Sequence, residues 1–203
     1  LNGGYSLIEL VVTVLMSGLI VVAITGFLTT GLNHYRVVSA ETEVQSEAQV
    51  VELFVTELFQ ESINFETISS YPAIADPTAK GYEAGSAFQS AVWLKRKDLD
   101  DSGNLVEKTY VLAQINDELH FAEVTGGSND ELLLSLINKG KSKTYLGEYV
   151  TSFRLLPQTS TYALASNATN KGIVYLELKF EVDERVYDSS SKIALRNKTM
   201  KKN

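Results

Sequence analysis

Hydrophobic positions follow three rhythms along the chain. Residues 10–32 contain no Asp, Glu, Lys, Arg or His, an uninterrupted stretch of 23. As a helix it is about 35 Å long at about 1.5 Å per residue, enough to cross a hydrocarbon core of about 30 Å. From His34 the pattern becomes amphipathic. Val37, Val44, Val51, Leu58 and Phe65 recur every seven residues, and Ala48, Phe54, Val55 and Ile63 broaden the stripe. Glu41, Glu43, Glu47, Glu52, Glu57 and Glu61 populate the other faces. No proline stands between Tyr5 and Tyr71, so the spacing predicts one helix over residues 5–65, about 90 Å long. Gly18, Gly26 and Gly31 each cost roughly 1 kcal/mol relative to Ala, which places the expected bend or local melting near Gly26 and Gly31. The stripe is expected to pack on the chain's own sheet. A homodimeric coiled coil is the alternative, opposed by Ala40, Glu47 and Glu61 where a second apolar row belongs.

The third rhythm is alternation. Residues 69–86, with Pro72, Pro77, Gly81 and Gly85, read as a loop. Strands are predicted over residues 87–97, 105–115 and 118–124, the first two joined by the polar turn of residues 98–104 into a hairpin. Residues 131–139 fit a short helix or a strand, with Asp130 as the candidate N-cap. Residues 143–156 read as one strand ending at Pro157, and residues 158–172 as a surface loop. The strongest strand pattern is residues 173–182, where Val174, Leu176, Leu178, Phe180 and Val182 alternate with Tyr175, Glu177, Lys179 and Glu181. A turn at residues 189–191 and a short strand over residues 192–196 complete the series. Helix first and strands after predict an α+β class: a long N-terminal helix, membrane-spanning in its first half, packed on a mostly antiparallel β-sheet head of four to six strands.

Composition narrows the function. Outside the apolar N-terminus about 170 residues remain, one ordinary domain. A net charge of −7 over 203 residues opposes a general electrostatic grip on nucleic acid, and no specific nucleic-acid binding is expected. With no cysteine there is no disulfide framework, thiolate metal site or thiol nucleophile. A secretory signal peptide has a shorter apolar core followed by small residues, whereas here Gly3 and Gly4 precede the run, and residues 1–4 read as the stub of a leader.

One carboxylate, Glu9, stands at the N-terminal edge of the apolar run. A charge at mid-membrane costs about 2.5–3.5 kcal/mol on insertion scales, less near the boundary, so such a residue invites a functional reading. The segment Gly4-Tyr5-Ser6-Leu7-Ile8-Glu9-Leu10, the charge-free run, the amphipathic helix and the β-rich head together resemble a type IV pilin-like protein. The motif covers about 30 residues. The last strands and Lys192-Ile-Ala-Leu-Arg-Asn197 resemble the larger minor pilins and minor pseudopilins of the J-like class.

The resemblance implies a processing site between Gly4 and Tyr5 for a membrane prepilin peptidase, N-methylation of Tyr5, and pairing of Glu9 with the terminal amine of an adjacent subunit during assembly. The implied function is a non-enzymatic minor subunit that assembles into, initiates or caps a type IV pilus filament. Its implied partners are other pilin or pseudopilin subunits, the prepilin peptidase, a membrane assembly platform, and lipid before assembly. The implied location is a single-pass cytoplasmic membrane protein with an extracytoplasmic head, then a cell-surface or periplasmic filament. A pseudopilin of type II secretion or of competence (DNA uptake) is the alternative, and a single-span membrane-anchored enzyme or receptor the second. The implied organisation is a leader remnant (1–4), an assembly helix (5–33), its amphipathic half (34–66), a β-rich head (67–197) and a basic tail (198–203). Tyr5 stands where phenylalanine is usual, Gly26 lies near a common proline position, and the head lacks a disulfide.

Other motifs are weaker. Asp98, Asp100, Ser102 and Asn104 alternate like the start of a calcium loop, but the twelfth position is Thr109 where Glu belongs, so a plain hairpin turn is the stronger reading. Leu156-Pro157-Gln158-Thr159-Ser160 resembles a sorting signal without its hydrophobic tail. His34 and His120 are isolated and read as bystanders. The Glu43/Glu47 and Glu57/Glu61 pairs read as a solvated helix face, and no nucleophile elbow is present. No cofactor is expected.

Overall fold

The computed structural model describes residues 6–157, 173–182 and 185–194. Helix α1 runs Leu7–Glu61, followed by β1 (Asn64–Ile68), a 3-10 turn (Thr78–Lys80), β2 (Phe88–Leu99), β3 (Leu105–Ile115), β4 (Glu118–Val124), α2 (Asn129–Lys139), α3 (Lys141–Thr144), β5 (Tyr145–Gly147), β6 (Val150–Pro157), β7 (Ile173–Val182) and β8 (Arg185–Ala194). The chain divides into two units, Leu1–Glu43 and Val44–Asn203.

The first unit is the N-terminal part of α1. It is helical through Gly26 and Gly31, without the local melting expected there. With no proline nearby the i→i−4 ladder stays intact, and the Thr30 hydroxyl donates a further bond to the Gly26 carbonyl at 3.0 Å.

The second unit is an α+β head in which the C-terminal part of α1 packs on antiparallel sheets. Among the described residues there are two sheets, not one: a five-stranded sheet ordered β1-β2-β3-β4-β5 and a three-stranded sheet ordered β6-β7-β8. The predicted stripe holds from Val44 onward, whereas Val37 is exposed. Val44, Ala48, Val51, Val55 and Leu58 are buried, joined by Phe59, against Val92, Leu94 and Leu112 of the first sheet and Phe153, Leu176, Leu178 and Phe180 of the second. The opposite face of the five-stranded sheet buries Ala91, Val111, Ala113 and Ile115 against Leu132, Leu133, Leu136 and Ile137 of α2. One strand, β2, therefore divides its alternate residues between two helices.

Several expected boundaries move. Helix α1 stops at Glu61 rather than near residue 65, because Ser62 folds its hydroxyl back to the Phe59 carbonyl at 2.8 Å and Ile63 N–H bonds Lys95 O at 2.8 Å. Phe65 is still buried, but from β1, edge-on to Phe59 with ring centroids 5.4 Å apart. The N-cap of α2 is Ser128, not Asp130. Its hydroxyl accepts from Glu131 N–H while the Glu131 carboxylate accepts from Ser128 N–H, a reciprocal box that settles this segment as helix.

Residues 143–156 are not one strand. Thr144 ends α3, β5 closes the first sheet, and β6 opens the second after Tyr149 takes a left-handed φ of 63°. The expected turn at residues 189–191 is the middle of β8. Alternation turns Ser189 and Ser191 toward α1, where Glu52 accepts both hydroxyls, so a polar run is stable inside a strand. The loop expected over residues 158–172 and the tail over residues 198–203 lie outside the described residues.

Candidate functional site

The first unit carries the sequence-predicted assembly surface. Leu7, Ile8, Leu10, Leu15, Leu19, Val22 and Phe27 are all exposed. Its hydroxyls are satisfied locally: Thr13 donates to Glu9 O at 2.7 Å, Ser17 to Thr13 O at 2.8 Å, Thr25 to Val21 O at 2.8 Å and Thr29 to Thr25 O at 2.9 Å. Each bond hides a polar group that lipid could not satisfy, so the surface is more apolar than its composition. The helix is long and apolar enough to cross a membrane. Glu9 is exposed, and no ion pair among the described residues includes it. Gly4 and Tyr5 lie outside the described residues.

In the head, Asp98, Asp100, Ser102 and Asn104 shape the β2–β3 hairpin. Asp100 Oδ1 accepts the backbone N–H groups of Ser102 at 2.9 Å and Asn104 at 2.8 Å, and the Asn104 side chain donates to Oδ2 at 3.3 Å. These donors, Asn104 N–H foremost, hold the Asp100 carboxyl below its usual range. Gly103 supplies the φ of 80° the turn requires. Asp98 has a different duty. It pairs with the Arg96 guanidinium at 2.8 Å and accepts the Tyr110 hydroxyl, and Arg96 reaches Glu61 at the end of α1 at 3.1 Å. Partial burial works to raise the Asp98 pKa, and the Tyr110 and Arg96 bonds outweigh it, so the net direction is down. Tyr110 moves the other way, up to about 12, through burial and then Asp98. Among the described residues no group of three or more His, Asp or Glu side chains is placed to hold a metal.

The two histidines differ. His34 lies on an exposed stretch of α1. His120 is fully buried: Nδ1 is 3.1 Å from Thr144 Oγ1, and the ring meets Tyr82 and Tyr145 edge-on. Nε2 lies 3.3 Å from Glu118 Oε2 but out of line for a hydrogen bond, and Lys141 occupies the other Glu118 oxygen. Burial drives its pKa down to about 4, against the raising effect of Glu118 and with the help of Lys141. A carboxylate, an imidazole and a threonine hydroxyl stand in sequence here, but Thr144 is as buried as His120, so the array ties β4, α3 and β5 together rather than presenting a nucleophile.

The helix carboxylates are not all a solvated face. Glu43 and Glu57 are exposed, but Glu47 accepts from Glu148 N–H, Glu52 holds Ser189 and Ser191, and Glu61 holds Arg96. Sequence reasoning also missed Gln114. It is buried on β3, with Oε1 accepting from Ser90 Oγ at 3.0 Å and Phe153 N–H at 3.2 Å, and Nε2 facing Gln89 Oε1 at 2.6 Å and Val150 O at 2.8 Å. Its only sequence signal is an amide inside an apolar strand pattern, Tyr110-Val-Leu-Ala-Gln-Ile115. Searches against protein-family models, curated proteins and solved structures find no match to this chain.

Proposed function

We propose that the chain is a non-enzymatic filament subunit of the type IV pilin-like kind, a minor subunit that initiates or caps a fibre drawn from the membrane. The observation that carries this reading is the α1 surface: residues 10–32 carry no charge, their exposed side chains are apolar or hydroxyls bonded to the backbone, and one carboxylate stands at the edge. An ordinary membrane anchor has no use for Glu9. A filament has one. Cleavage between Gly4 and Tyr5 creates a cationic amine, and a neighbouring subunit docked in register brings that amine to Glu9 in a low-dielectric bundle. Each charge then relieves the other's desolvation, and a docking slipped by a turn leaves both buried and unpaired. The pair thus selects register, while the apolar surface exchanges lipid for neighbouring helices.

Mass spectrometry of the mature N-terminus tests the first step: a chain beginning at Tyr5 supports the reading and an intact leader counts against it. Assembly of Glu9→Ala tests the second. The variant should insert in the membrane normally yet enter fibres far less efficiently, and parental incorporation would remove the mechanism.

A further inference from the structure

Strand β2 outruns its neighbour β1. The two pair only as far as Lys95, where Ile63, just after the end of α1, donates its N–H to Lys95 O at 2.8 Å. Residues 96–99 continue past that point and pair on their other side with β3, from Arg96 with Lys108 to Leu99 with Leu105. This overhang borders a cleft of about 680 Å³, lined in part by Glu61, Arg96, Lys97, Asp98, Leu99 and Lys108. The volume is that of an ordinary ligand site.

Two hydrogen bonds fix which backbone groups face the overhanging edge. Lys95 O points toward β1, since it accepts from Ile63. At the hairpin end Asp100 N–H bonds Asn104 O at 2.8 Å, so Asp100 points the other way, toward β3. Successive residues of an antiparallel strand direct their backbone groups to opposite sides. Even-numbered Arg96 and Asp98 therefore bond across to β3, and odd-numbered Lys97 and Leu99 present N–H and C=O outward. Among the described residues no backbone group receives them.

The side chains beside this edge set its preference. Its carboxylates are occupied: Asp98 by Arg96 at 2.8 Å and by the Tyr110 hydroxyl, Glu61 by Arg96 at 3.1 Å. The Lys97 ammonium has neither an ion pair nor a hydrogen bond among the described residues, and Lys108 is held by Glu123 at 3.2 Å in a half-exposed pair. In a chain of net charge −7 the edge thus carries a local surplus of positive charge. Leu99 and Leu105, cross-strand partners beside it, are both exposed. A lysine on an open edge repels a basic strand and attracts an acidic one.

We propose that the β2 edge takes an extended acidic segment of a different protein as an added strand: the segment's backbone pairs with Lys97 and Leu99, a carboxylate meets the Lys97 ammonium, and an apolar side chain covers Leu99 and Leu105. Main-chain bonds supply the affinity and the lysine supplies the choice of partner. Two copies of this edge set face to face would bring like charges together, so the occupant is not the same strand of a second copy. Only two residues offer outward backbone groups, which makes the contact weak and reversible. The inference goes beyond the filament reading and does not depend on it, because it concerns only what the head holds.

The test uses the full-length chain in an uncharged detergent and a synthetic probe, the labelled peptide acetyl-Thr-Val-Glu-Val-Glu-Val-Thr-amide. Fluorescence anisotropy should show saturable binding. Amide hydrogen exchange, read residue by residue, should slow at Lys97 and Leu99 when the peptide is added, while Arg96 and Asp98, already bonded to β3, should change little. A peptide N-methylated at alternate residues keeps the side chains but cannot form the ladder, and should bind at least about fivefold more weakly. Lys97→Glu should weaken the acidic peptide about three- to fivefold and strengthen a counterpart with lysine in place of glutamate. Four results would each overturn the inference: no binding of the acidic peptide, equal binding of its N-methylated form, protection that appears elsewhere in the head, or Lys97 and Leu99 amides already protected in the chain alone. None of these bears on cleavage before Tyr5 or on Glu9, so the filament reading stands or falls separately.

Discussion

The carboxylate of Glu47, in the middle of the helix stripe, accepts the backbone N–H of Glu148, 101 residues further along the chain. It does so where β5 ends and the chain crosses to the second sheet, so a helix side chain fixes the hinge between the two sheets. The approach is close. A Cβ on Gly147 would stand 2.6 Å from Val51 Cγ2 and 3.1 Å from the Glu47 carboxylate.

Gly147→Ala should therefore destabilise the head by about 1–3 kcal/mol, the usual effect of overpacking a core contact. Val51 is β-branched and cannot swing aside. Urea unfolding of the full chain in detergent, followed by tryptophan fluorescence, measures the change. A cycle with Val51→Ala adds a sharper check: the double variant should be less destabilised than the sum of the singles, and simple additivity would mean the clash is absent.

Gln114→Leu should cost about 2–5 kcal/mol despite its similar volume. The amide serves Val150 O and Phe153 N–H on β6, and leucine leaves both buried without those partners, at about 1–3 kcal/mol each. Hydrogen exchange should rise in β6 more than in β4. Equal rises would show general loosening instead of a lost link between sheets.

His120 makes stability depend on pH in a defined window. Its folded pKa of about 4 lies below the unfolded value of about 6.5, so the unfolded chain binds the proton more readily. The associated stability is fully present above pH ~6.5, falls as pH drops toward ~4 and levels off below, a total of about 3 kcal/mol. Unfolding free energies across that range, compared with His120→Gln, should show the wild-type slope missing from the variant. Parallel curves would mean that other groups carry the effect.

Glu52→Ala should loosen one strand. Ser189 and Ser191 lose their shared acceptor, and among the described residues β8 pairs only with β7. The expected change is about 1–2 kcal/mol, read as faster exchange confined to β8. A uniform loss across both sheets would argue that Glu52 does something else.

Periodicity alone located α1, the β2–β3 hairpin, β4 and β7, because each buries one regular face and such a face is written directly into residue spacing. The apolar run and Glu9 were equally plain, since lipid-length hydrophobicity and an isolated charge need no partner to be seen. Partnering was not legible. Whether residues 143–156 form one strand or three elements depends on which sheet each backbone group reaches, and whether Glu47, Glu52 and Glu61 face water or protein depends on what stands opposite them. Ser189 and Ser191 look like a turn until Glu52 is there to receive them. Spacing along a chain specifies which residues share a face. Only the folded molecule decides what that face meets, because hydrogen bonds and charge pairs between distant segments are set by position in space.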